Sequence, residues 1–102
     1  MLHCVVQSLH ANPNNLDRIV EIIQSRVIPK ISKENGLKVA YYVSNPKGDM
    51  WMFQVWDREE QFRGWQGKPD HGSAAGEIRT LRDGPLNVDG YQLQAHFVAD
   101  GQ

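Results

Sequence analysis

The segment Met50-Trp51-Met52-Phe53-Gln54-Val55-Trp56 limits the fold more than any other stretch of this chain, because it is apolar on both of its alternating sides. Successive side chains of a strand point to opposite faces, so a strand of this kind needs cover on both. The neighbouring run Leu37 to Ser44 behaves similarly: Leu37, Val39, Tyr41 and Val43 alternate with Ala40 and Tyr42. Asn45-Pro46-Lys47-Gly48-Asp49 between the two runs carries turn chemistry, so they are predicted to form a hairpin. A chain of 102 residues can bury roughly two thirds of its unfolded surface around one core, which predicts a single domain over 1–102. Too little chain then remains for helices on both faces of the hairpin's sheet. A second copy of the same sheet is the simplest cover, and a homodimer is expected.

The remaining elements follow from periodicity. Leu2 to Leu9 is rich in Val and Leu and is predicted as the first strand. Asn12-Pro13-Asn14-Asn15 ends it and supplies a helix cap. Leu16, Ile19, Val20, Ile23, Val27 and Ile31 then recur on one face of a helix, which Pro29 should kink and Gly36 should stop. Asp57-Arg58-Glu59-Glu60 has the form of a capping box, so a second helix is expected from Arg58. Gly67-Lys68-Pro69 breaks that helix. A third segment follows, with Ala74, Ala75, Ile78 and Leu81 inward and Gly84-Pro85 closing it. The small residues Gly72-Ser73-Ala74-Ala75-Gly76 should let this helix pack close to its neighbours. Tyr91 to Ala99 is predicted as the last strand. The order is βαββαβ with the second helix split in two, a ferredoxin-like α+β fold with one four-stranded antiparallel sheet.

Charge and composition narrow the function. The net charge is -1 with no block of one sign, which argues against nucleic acid and membrane surfaces as partners. The single cysteine, Cys4, cannot form an intrachain disulfide, and no stretch has the length of a membrane span, so a cytoplasmic protein is expected. Cys4 lies among Val5 and Val6 and is expected to be buried and unreactive. Nucleotide-binding loops, nucleophile elbows and zinc spacings are all missing from the sequence. His3, His10 and His96 lack neighbours at ligand spacing, so no metal site is expected.

Three segments carry a resemblance. They are Arg26-Val27-Ile28-Pro29-Lys30-Ile31-Ser32-Lys33-Glu34-Asn35-Gly36, the strand running into Gln54-Val55-Trp56-Asp57-Arg58-Glu59, and Lys68-Pro69-Asp70-His71. Together they resemble the antibiotic-biosynthesis monooxygenase family and its quinol-oxidising relatives, which are small dimeric α/β-barrel proteins. The resemblance covers nearly the whole chain and implies a cofactor-independent oxidation of an anthrone- or hydroquinone-type aromatic substrate by molecular oxygen. It also implies places for catalytic groups. Gln61 stands four residues before Trp65, where anthrone-oxidising members carry an Asn four before a Trp. An amide and an indole N–H there are candidate donors to a developing oxyanion, although Trp65 as a core anchor and Gln61 as a solvated residue satisfy the same spacing.

His71 is a candidate acid or base at neutral pH, with helix capping or dimer contact as the structural alternative. Arg79, farther along the helix, is a candidate to steady an anionic substrate. Tyr41, Tyr42, Trp51, Phe53 and Trp56 are candidate aromatic walls, with Phe62 beside Gln61 and Trp65, but the sequence alone does not tell which alternate strand residues face the helices and which a partner subunit. Relatives that degrade haem ligate iron through a histidine where this chain has Ala74, Ala75 and Gly76, so haem binding is disfavoured, as is isomerase chemistry. A non-catalytic ligand-binding or assembly protein of the same fold is the main alternative.

Overall fold

The computed structural model describes residues 2–99. β1 (His3–His10) leads into α1 (Pro13–Ile22), a π-helical turn (Ile23–Val27) and α2 (Ile28–Ile31). The hairpin β2 (Leu37–Ser44) and β3 (Asp49–Trp56) follows, then α3 (Glu59–Gln66), α4 (Pro69–Leu81) and β4 (Asp83–Gln92). The strands form one antiparallel sheet in the order β2-β3-β1-β4, the ferredoxin-like arrangement.

Local chemistry explains the first helix. The Asn12 side chain accepts from the Asn14 and Asn15 amides at 3.1 and 3.2 Å, and Pro13 occupies the first turn, where its missing N–H costs nothing. Farther on, the Ile28 amide donates to Ile23 O, five residues back. This wide turn comes just before Pro29, whose ring would otherwise press on the Ser25 carbonyl, so the expected disturbance takes the form of a π turn.

Helix-facing residues on the sheet are Val5, Gln7 and Leu9 of β1 and Met50, Met52, Gln54 and Trp56 of β3, all buried. They pack on Leu16, Ile19, Ile22, Ile31 and Phe62. Each fully buried aliphatic side chain of this kind contributes about 1.5–3 kcal/mol. The opposite face is different. The register aligns Cys4 with Val55 and Tyr91, Val6 with Phe53, Tyr41 with Phe53, and Val43 with Trp51, all away from the helices. Trp51, Tyr41 and Tyr91 are 47, 62 and 55 % exposed, which leaves a broad apolar surface with no cover from this chain.

Three expectations are corrected here. The last strand is Asp83–Gln92, and residues 93–99 have no regular structure. The sequence from Asp83 to Gly90 is dense in turn residues, but β4 pairs only with β1, and an edge strand tolerates Pro85. A register shift between Ser8 and His10 absorbs Gly84, at φ +76°, together with Pro85. Cys4 is partly exposed within a single chain, because its side chain is on the uncovered face. The third correction concerns the start of α3. Its N-cap is Arg58, and the reciprocal contact comes from Gln61, whose Oε1 accepts from the Arg58 amide at 3.0 Å.

Candidate functional site

Between the sheet and the helices lies a cavity of about 490 Å³. Its floor is built by Gln7 and Leu9 of β1, Tyr42 of β2, Met52 and Gln54 of β3 and Leu86 of β4. The other walls come from Ile23 and Val27 at the two ends of the π turn, from Gln66 of α3, and from α4 and the residue after it: His71, Gly72, Ala75, Gly76, Ile78, Arg79 and Arg82. The size suits a small organic ligand, and mostly apolar walls with a few convergent polar groups are the usual makeup of such sites. The small residues of α4 act differently from expectation. Gly72, Ala75 and Gly76 are exposed, and a Cβ added at either glycine would meet nothing within 4 Å. They hold the cavity open instead of drawing two helices together.

The polar floor is a relay. Trp56, fully buried, donates its indole N–H to Gln54 Oε1 at 3.0 Å, and Gln54 Nε2 donates to the Tyr42 hydroxyl oxygen at 3.4 Å. The Trp56 donor fixes the amide's orientation, since an indole N–H only donates. Tyr42 then receives a hydrogen bond on oxygen and keeps its own proton for a cavity ligand. Burial raises the Tyr42 phenol above its ordinary range, outweighing the bond from Gln54, so it stays a neutral donor at neutral pH.

His71 stands in the wall made by α4. Its ring lies 4.5 Å, centroid to centroid, from that of Trp65, and its Nδ1 is buried without a hydrogen-bond partner among the described residues. Burial lowers its pKa from the ordinary imidazole value, so it is predominantly neutral at pH 7 and able to take up a proton. An unpaired buried nitrogen costs about 1–3 kcal/mol.

Of the residues singled out by sequence, the structure brings Tyr42, His71 and Arg79 to the cavity and sends the others elsewhere. Gln61 is outside it: the amide caps α3 and lies against Gly36, where a Cβ would collide with it. Gly36 also has φ +90°, so the position favours glycine on both counts. Trp65, 2 % exposed, supports the His71 ring without lining the cavity. Phe62 is a core residue against Trp56 and borders a separate, smaller cleft beside His3. Tyr41 and Phe53 point to the uncovered face of the sheet. Tyr42, from the set alternate to Tyr41, does face the cavity, and Gln54, which the sequence reading passes over, joins it. One signal was available: Gln54 interrupts an otherwise apolar strand, and a buried amide must find partners. Among the described residues, no group of three or more His, Cys, Asp or Glu is placed to hold a metal ion.

No protein-family model matches the chain, and no curated protein matches it in sequence. Its fold does match solved structures. A conserved protein from Methanosarcina mazei superposes with a TM-score of 0.84 at 14 % identity, over 92 % of this chain and 94 % of that one. A candidate antibiotic biosynthesis monooxygenase from Caulobacter crescentus gives 0.83 at 11 % identity, over 92 and 91 %. Another from Deinococcus radiodurans gives 0.81 at 13 % identity, over 99 and 100 %. At such identities the likeness is one of fold.

Proposed function

We propose that the chain is a cofactor-independent monooxygenase that binds an enolisable aromatic of the anthrone or hydroquinone type in this cavity and oxidises it with molecular oxygen. The observation that carries the reading is the pairing, in one cavity, of an unpartnered neutral imidazole with a floor of oriented donors. An apolar cavity without such groups would favour simple ligand binding.

The chemistry follows from the groups. With an anthrone, His71 takes a proton from the ring CH2, and the electron pair moves to the substrate oxygen. Tyr42 O–H and Gln54 Nε2–H supply the donors for that oxyanion, and preorganised donors aimed at developing charge stabilise it. The anion gives one electron to oxygen, and the resulting radical and superoxide combine to form a C–O bond. His71 returns its proton to the peroxide, which loses water to leave a carbonyl. In sum, one CH2 and one O2 become one C=O and one H2O. Trp65 acts through His71 by holding its ring, which makes it a positioning residue.

The uncovered sheet face is part of the same proposal. A homodimer joined through that face would hide Trp51, Tyr41 and Tyr91 and would bury roughly 2,000 Å² or more, as obligate interfaces do. The catalytic reading is tested by supplying anthrone to protein freed of metal and flavin and following dissolved oxygen. Uptake proportional to protein concentration and abolished by prior unfolding is expected. Uptake no faster than in buffer, for both anthrone and hydroquinone, would refute the reading for these substrates.

A further inference from the structure

Two arginines that line the cavity are left without a task by its proposed chemistry. Arg79 is in the last turn of α4 and Arg82 directly follows that helix, three residues on and therefore on nearly the same side. Both line the cavity, and neither side chain makes a hydrogen bond or ion pair among the described residues. Among the described residues, no Asp or Glu lines the cavity. Of the carboxylates closest in sequence, Glu77 accepts from Arg26 and from Arg18, at 2.8 Å for the latter, and Asp83, exposed, is 3.6 Å from His10 and does not line the cavity. The hydrogen bonds from Arg26 and Arg18 hold the Glu77 carboxyl below its usual range, so it stays charged and committed to α1 and the π turn. The cavity thus carries two arginines that have no ion-pair partner among the described residues.

We infer that the ligand of this cavity is an aromatic carboxylate, its ring among the apolar walls and its carboxylate held by Arg79 and Arg82. The inference rests on the cavity being the substrate site, and it adds the substrate's charge class. Guanidinium groups suit this task because their planar forks match the two oxygens of a carboxylate. His71 and Tyr42 line other parts of the same cavity, which leaves the reacting carbon and its oxygen to them.

Titration calorimetry on the full chain with 2-naphthoate and with its neutral isostere 2-naphthamide tests this without any turnover. Naphthoate should bind about tenfold or more tightly than the amide, since hydrogen bonds to a charged group exceed neutral ones by that order. In the double variant Arg79→Gln/Arg82→Gln the ratio of the two affinities should collapse toward one. Rising salt should weaken naphthoate binding to the unmodified protein more than amide binding, a readout that needs no variant. Equal affinities, binding of neither probe, or a preference that survives the double substitution would overturn the inference. The oxygen assay fails or succeeds separately. Arginine-dependent naphthoate binding with no oxygen uptake from any substrate would leave the carboxylate site standing and remove the oxidation, and uptake without carboxylate preference would do the reverse.

Discussion

Replacing His71 by Asn is expected to lower turnover of an anthrone by about 10² to 10⁴, the usual contribution of a positioned general base. Asparagine keeps polarity and much of the bulk against Trp65 but cannot take up a proton, so binding should suffer far less than rate. The pH profile offers a second readout. Because burial lowers the imidazole pKa, the acid limb of turnover should have its midpoint below the ordinary value of about 6.5, and the variant should lack that limb. Stability carries the same sign. Between the unfolded value and the lower folded value the unfolded chain binds more protons, so this group makes the protein less stable as pH falls through that window. The variant should be relieved of that loss. Turnover equal to that of the unsubstituted protein, with the same acid limb, would remove His71 from the chemistry.

A second large effect is expected on the uncovered face. Trp51 is on β3, flanked by Ser8 of β1 and Val43 of β2, and is only about half covered by its own chain. Trp51→Glu should therefore leave the single chain folded. In a two-fold dimer each substitution appears twice across a self-complementary surface. Burying an unpaired carboxylate in such an interface costs about 3–5 kcal/mol, so the dimer's dissociation constant should rise by at least a factor of about 10³. Analytical ultracentrifugation should show twice the chain mass for the unsubstituted protein at micromolar concentration and the single mass for the variant. Cys4 reports on the same event, since it shares that face and is partly exposed in one chain. Thiol reagents should label it slowly in the dimer and fast in the variant. A monodisperse unsubstituted monomer would show that something other than a second copy covers this face.

Much of the architecture was legible because local signals agreed with one another. The spacing of Leu16, Ile19, Ile23, Val27 and Ile31, the Asn12-Pro13 start and the turn around Gly48 each fix one element without knowledge of the rest. β4 is not legible in the sequence because its pairing with β1 is long-range, and that pairing overrides a sequence full of turn residues. The site was harder to read for a related reason. β3 is apolar in both parities, so the strand itself does not decide which set faces the helices; the structure turns Tyr42 and Gln54 to the cavity and their neighbours Tyr41 and Phe53 to the uncovered face. Gln61 and Trp65 do stand one turn apart, yet a glutamine at the third position of a helix can reach back to the cap, and this one does. His71 was found because its position at the start of α4 is a local matter, whereas its pairing with a relay on the sheet is not.

The central claim is that this cavity inserts one atom of oxygen into a bound aromatic without a cofactor, and isotope labelling addresses it directly. Metal-free protein would be given anthrone under oxygen-18 gas in ordinary water, and the product carbonyl sampled early by mass spectrometry. The account predicts that enzyme-dependent product carries one labelled oxygen at the new carbonyl, that the second atom appears as labelled water, and that His71→Asn loses this product. New carbonyl oxygen drawn from solvent, or labelled product forming at the same rate with and without the protein, would contradict it.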